Sequence, residues 1–86
     1  MPTICYFRGI KIYINWKEHN PPHFHAKYCE EEVSILINEI EVLSGSMPNK
    51  QLKMLLGWAA LHQDELQENW KLAERMQELF EIDPLK

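Results

Sequence analysis

The chain has 86 residues, of which 45% are apolar and 26% charged, and its formal net charge is −4. This length suits one small domain, residues 1–86, with a single modest core, and the composition excludes general disorder. No apolar run approaches the roughly 18 residues of a membrane span, no secretory signal opens the chain, and two cysteines are too few for a disulfide framework, so we expect a cytoplasmic protein without membrane contact.

The charges are unevenly distributed along the chain. Residues 1–29 carry four basic side chains and one acidic side chain, whereas residues 30–86 carry five basic and twelve acidic ones. The basic part also contains three of the four histidines. This arrangement would suit an anionic ligand near the histidines, although runs of charge are more often solvated surfaces.

The first 44 residues predict about five short strands. Residues 10–16 alternate apolar and polar side chains, and Arg8 and Gly9 suit the two-residue turn that joins them to a preceding apolar strand. The strands are expected at 3–7, 10–16, 24–29, 33–37 and 40–44, with an exposed turn of three glutamates at 30–32. Short connections between successive strands imply a small curved antiparallel sheet.

After Pro48 the apolar residues recur at three- and four-residue spacings, which predicts an amphipathic helical region. The stripe consists of Leu52, Leu55, Leu56, Ala59, Leu66, Trp70, Ala73 and Phe80. One long helix kinked near His62 and two separate helices fit this pattern almost equally well. Strands followed by helices predict an α+β fold in which the helical stripe packs on one face of the sheet.

The most informative segment is the run of residues 19–25, which contains three histidines and a Pro-Pro pair. Proline restricts the backbone, so this segment should be stiff. If the chain continues as a strand, His23, His25 and Lys27 project to one face, while Phe24 and Ala26 project to the core. His19 would be brought near them by the prolines.

One hypothesis makes this face a metal-independent ribonuclease that requires no cofactor. His23 and His25 would act as general base and acid on a phosphodiester, with His19 beside them, while basic side chains stabilise the developing charge. Trp16 or Tyr13 could stack a base. The candidate ligand-binding residues are Lys27, Arg8, Lys17, Trp16, Tyr13 and Asn20.

Three alternatives remain open. In one, His19, His23 and His25 bind a divalent metal, with Cys29 or an acidic side chain as fourth ligand. In another, the prolines make a rigid structural turn whose histidines hydrogen-bond to nearby backbone. In the third, the protein is a non-catalytic interaction module that uses its acidic helix or an exposed strand edge, and two copies could pair as a homodimer.

Several segments together resemble a family of small bacterial proteins known as domain of unknown function 4160. They include the opening residues 1–4, the hairpin at 9–13, the run 19–26, the helix entry at 45–48 and residues 61–70. The residues that match the family pattern are His19, Asn20, Pro21, Pro22, His23, His25, His62, Asp64, Asn69 and Trp70, whereas Cys5 and Cys29 lie outside it. The resemblance implies a stand-alone cytosolic bacterial protein, often encoded beside a second small protein in arrangements that resemble toxin and antitoxin pairs, and therefore a small cognate protein as partner. It implies no established reaction, metal or ligand.

Overall fold

The computed structural model describes residues 2–85, which form five strands followed by two helices. The elements are β1 (Thr3–Phe7), β2 (Ile10–Tyr13), β3 (His23–Tyr28), β4 (Glu31–Leu36), β5 (Glu41–Gly45), α1 (Asn49–Leu61) and α2 (Gln63–Glu74). The strands make one antiparallel sheet in the order β1-β2-β3-β4-β5, and the helices bury one of its faces, which confirms the predicted α+β fold. Within residues 2–85 no helix has both the length and the apolarity of a membrane span.

Two tight turns set the register of the first four strands. Arg8 and Gly9 have φ values of 47° and 81°, as expected for the two-residue hairpin turn that matches strand twist. The β3–β4 turn falls at Cys29, with φ 54°, and its successor. The predicted turn over residues 30–32 is therefore wrong: Glu31 and Glu32 open β4, because the chain reverses earlier than the run of charge suggests.

The predicted division of β3 between two faces is confirmed for its core residues. Phe24 and Ala26 are fully buried beneath the helices. The ring centroid of Trp58, from α1, lies 5.6 Å from that of Phe7 and 6.1 Å from that of Phe24. Large aromatic side chains in this arrangement bury the most apolar surface, so they fix the position of α1 on the sheet.

The helical region consists of two helices separated by His62 alone. It ends at Glu74, so Phe80 lies outside the helix, contrary to the expected stripe. The reason is a Schellman C-cap: Met76 adopts φ 55°, its N–H donates to the Ala73 carbonyl, and the Gln77 N–H donates to the Leu72 carbonyl.

The segment after α2 is held against the body of the protein by side-chain contacts with its backbone. Fully buried Asn69 donates through Nδ2 to the Phe80 carbonyl and accepts the Phe80 N–H through Oδ1, both at 3.0 Å. Trp58 Nε1 donates to the Asp83 carbonyl at 2.8 Å, and the Ile82 N–H donates to the Ile4 carbonyl of β1. The C-terminal segment is thereby tied to both layers of the fold.

We expect Asn69→Ala to lower the free energy of unfolding by about 1–3 kcal/mol, because it leaves two backbone groups of Phe80 without their partner. Urea denaturation measures the change, and Glu68→Ala, an exposed neighbour on the same helix, is the matched control. Equal midpoints for the two variants would show that Asn69 does not stabilise the segment.

Candidate functional site

The β2–β3 loop, residues 14–22, brings a carboxylate to the two histidines of β3. Glu18 Oε1 lies 2.8 Å from His25 Nε2, and Glu18 Oε2 lies 3.5 Å from His23 Nε2. We call these three side chains the Glu-His-His cluster. His23 is buried, while Glu18 and His25 are half-buried, so the cluster is reached from solvent on one side.

The opposite ring nitrogens of both histidines have their own partners. His23 Nδ1 lies 2.8 Å from the Pro21 carbonyl oxygen, which can only accept, so Nδ1 carries the hydrogen. His25 Nδ1 lies 3.1 Å from the hydroxyl of Ser34, which faces it directly across the β3–β4 ladder. Both imidazoles are therefore oriented with Nε2 toward Glu18.

The carboxylate of Glu18 is stabilised in its charged form. Burial alone would raise the pKa of Glu18, but the hydrogen bond from Asn15 Nδ2 at 2.8 Å, the hydrogen bond from His25 and the charges of His25 and His23 together lower it. Stabilisation of the folded state by a carboxyl of lowered pKa is fully present above its unfolded value, about 4.3, and is lost as the pH falls through the lower folded value.

Aromatic side chains flank both histidines. The Tyr13 ring is stacked on His25, with centroids 5.1 Å apart, and the Trp70 ring of α2 lies 5.3 Å from that of His23. The Tyr13 hydroxyl donates to a carboxylate oxygen of Glu32 on β4, so the ring crosses β3. Burial and this hydrogen bond raise the pKa of Tyr13 to about 12, which keeps the phenol protonated.

His19 does not lie in the cluster. Its side chain is exposed, and the residue beside it, Glu18, supplies the third group instead. Exposed Asn20 also lies outside the cluster. Trp16 and Lys17 instead connect the loop to the end of α2, through Trp16 Nε1 to the Gln77 carbonyl and the Lys17 N–H to the Ala73 carbonyl.

A second feature lies on the same open face. Tyr6, Lys11 and Lys27 are directly opposite one another on β1, β2 and β3, and we call them the basic row. Tyr6 is 64% exposed. Arg8 is exposed in the β1–β2 turn, two residues after Tyr6. Of the predicted ligand-binding residues, Lys27 lies in this row, directly opposite Lys11, which was not among those predicted. The exposed aromatic ring of the row is that of Tyr6, whereas the predicted Tyr13 is buried.

Residue His62 belongs to a different environment. Its Nδ1 lies 2.6 Å from Glu65 Oε1 and its ring is 5.3 Å from that of Trp58, between the two helices.

Three contributors to the cluster went unnoticed in the sequence: Glu18, Asn15 and Ser34. A signal existed for Glu18 alone, because it is the single acidic residue among residues 1–29.

Two neutral imidazoles and a carboxylate are groups that bind transition-metal ions, and the same groups exchange protons near neutral pH. Among residues 2–85, Glu18, His23 and His25 form the one set of three metal-ligating side chains that converges. The site therefore offers two kinds of chemistry.

The fold and the site define a small α+β protein whose open sheet face carries a Glu-His-His cluster. The chain belongs to the family described as a domain of unknown function, DUF4160, whose model matches residues 9–71. The matched range contains the whole cluster and both lysines of the basic row, but not Tyr6. Comparisons with curated proteins and with solved structures give no match.

We expect the pKa of the Glu18 carboxyl, followed by NMR titration of chelator-treated protein, to lie below the ordinary value of glutamate. It should rise in Asn15→Ala, because that change removes a donor to the charged form. An unchanged titration in Asn15→Ala would contradict the role given to this hydrogen bond.

Proposed function

We propose that this protein binds single-stranded RNA on the open face of its sheet, as one component of a toxin-antitoxin-like pair. The observation that carries the proposal is the basic row, in which two lysines and an exposed tyrosine lie side by side on three adjacent strands. Cationic groups beside an exposed aromatic ring are the features that let a sheet hold a phosphate backbone and stack a base.

The electrostatics of the row support an anionic ligand. Like charges directly opposite each other destabilise a pair of strands, yet Lys11 faces Lys27. Within residues 2–85 neither ammonium group has a carboxylate oxygen within 4.0 Å. Glu32 faces Lys27 from β4, but its carboxylate accepts the hydrogen bond of Tyr13. A phosphate between the lysines would relieve their repulsion.

The histidine contacts favour binding over metal-free cleavage of RNA. Each Nε2 faces Glu18, and each Nδ1 faces Pro21 or Ser34, so all four ring nitrogens already have a neighbour. A general base and a general acid need a nitrogen within hydrogen-bond reach of the substrate. We therefore assign RNA contact to the basic row and not to His23 or His25.

We expect the double variant Lys11→Ala, Lys27→Ala to bind a fluorescent single-stranded RNA more weakly than wild type. Each lost phosphate contact should reduce the slope of log affinity against log salt by about 0.7, hence about 1.4 for both. Fluorescence anisotropy at several salt concentrations measures this slope.

The matched control is Lys53→Ala, Lys71→Ala, which removes the same charge from exposed positions of the two helices. Tyr6→Ala should weaken binding by about 1–3 kcal/mol, the contribution of one stacked base, and Tyr6→Phe should retain it. Equal RNA affinities in the two double-lysine variants would overturn the proposed surface.

The support for a protein partner is the edge strand β5, whose five residues are all exposed. Among residues 2–85 it pairs only with β4, so its outer edge can accept a further strand. Val42 and Leu43 add exposed apolar surface there.

We expect co-expression with the product of the adjacent gene to give a complex that survives gel filtration. Leu43→Lys should abolish the complex without unfolding the chain, because it places a charge at the paired edge. Leu61→Lys, on an exposed apolar residue at the end of α1, is the control. A complex that withstands Leu43→Lys but not Leu61→Lys would move the interface to the helices.

A further inference from the structure

We propose that Glu18, His23 and His25 bind one divalent transition-metal ion. One ligand atom from each side chain lies within 4.8 Å of the others. This site is separate from the basic row to which RNA binding is assigned, and it replaces His19 by Glu18 in the metal set expected from the sequence.

The orientation of His23 leaves a lone pair facing a carboxylate. Because its Nδ1 donates to the Pro21 carbonyl, the neutral ring has no hydrogen on Nε2. That nitrogen lies 3.5 Å from Glu18 Oε2, which at neutral pH is also only an acceptor. Two facing acceptors repel each other, so this contact needs either a proton on Nε2, which makes the ring an imidazolium, or a metal ion between the two atoms. A metal ion satisfies both at once.

The orientation of His25 is compatible with the same ion. The Ser34 hydroxyl can donate to Nδ1 or accept from it, so it serves either tautomer of the ring. When it accepts, Nε2 is free to bind a metal. Imidazole ligands of metals commonly donate their other N–H to a carbonyl or to another oxygen, which fixes the ring. Both histidines show this second contact.

The spacing of the ligand atoms fits a single ion. Bonds of about 2.0–2.2 Å from one zinc ion to nitrogen and oxygen place neighbouring ligand atoms about 3.0–3.5 Å apart. Glu18 Oε1 lies 2.8 Å from His25 Nε2, Glu18 Oε2 lies 3.5 Å from His23 Nε2, and one ligand atom from each of the three side chains lies within 4.8 Å of the others. These separations are close to the ones that a single ion requires.

The surroundings hold these ligands before any ion arrives. Asn15 donates to Glu18, Tyr13 is stacked on His25, and Trp70 lies against His23. The side chains of His23, His25 and Glu18 are 9%, 17% and 23% exposed. The ligands are thus largely shielded from water but still accessible on the Glu18 side.

The ligand types select the class of metal. Two imidazoles and one carboxylate suit zinc, iron(II), cobalt(II) or nickel(II), whereas calcium and magnesium prefer sites built from oxygen alone. Three protein ligands leave at least one coordination position for water or for another molecule, as in zinc sites that carry out reactions. Cys29 is exposed in the β3–β4 turn and lies outside this group.

The test is isothermal titration of chelator-treated protein, prepared without a histidine tag, with zinc and separately with magnesium. We expect one zinc per chain and no magnesium binding. Loss of a residue that holds a metal ligand in place typically lowers metal affinity about 10–100-fold, and we expect this effect for Asn15→Ala. Loss of a ligand itself should lower the affinity further, so Glu18→Gln should bind zinc more than about 100-fold more weakly. His19→Ala, the matched control at an exposed histidine, should bind as wild type does.

A measurement on wild-type protein keeps the test independent of whether the variants fold. X-ray absorption of the zinc-loaded chain should show two imidazole nitrogens and a carboxylate oxygen in the coordination sphere. Absence of stoichiometric zinc, equal affinities of Glu18→Gln and His19→Ala, or a coordination sphere without two imidazoles would each overturn the proposal. No RNA enters these measurements, so failure of RNA binding leaves their outcome unaffected.

Discussion

The contact of one carboxylate with two imidazoles is the constraint on which the open face depends. The β2–β3 loop brings Glu18 to His23 and His25 at the start of β3. That loop is held at its start by the Ile14 N–H to the Pro2 carbonyl and at its middle by the Lys17 N–H to the Ala73 carbonyl. The cluster is therefore a product of the whole fold and not of the histidine run alone.

The alternation of side chains along β3 could be predicted from the sequence because, in a sheet with one covered face, a single register buries the apolar side chains of the strand. A slip of one residue would bury His25 and Lys27 and expose Phe24, at a large cost in apolar burial. The next turn was predicted wrongly from its charge. Three successive glutamates suggested a solvated loop, yet exposed positions at the start of an antiparallel strand also accept charge, and Glu31 and Glu32 are the first residues of β4. Ser34 faces His25 only in the observed register.

The third group of the cluster could not be predicted by the same means. Strand periodicity places residues on a face, but it says nothing of a loop, where each residue has its own backbone conformation. Lys17, with φ 58°, redirects the chain just before Glu18. As a result Glu18 faces the sheet and His19 faces solvent, the reverse of what a cluster of histidines suggests. The closeness of His19 to His23 and His25 in the sequence therefore did not predict where its side chain lies.

The two proposed surfaces meet at one side chain. Tyr13 starts on β2, stacks on His25 and reaches Glu32 on β4, so its ring lies across β3 beside the cluster. Lys11 Nζ lies 5.7 Å from the centre of the same ring. An ion held by His25 and an anion held by Lys11 would therefore share a single aromatic contact. That ring is held in place by its stacking on His25 and by its hydrogen bond to Glu32.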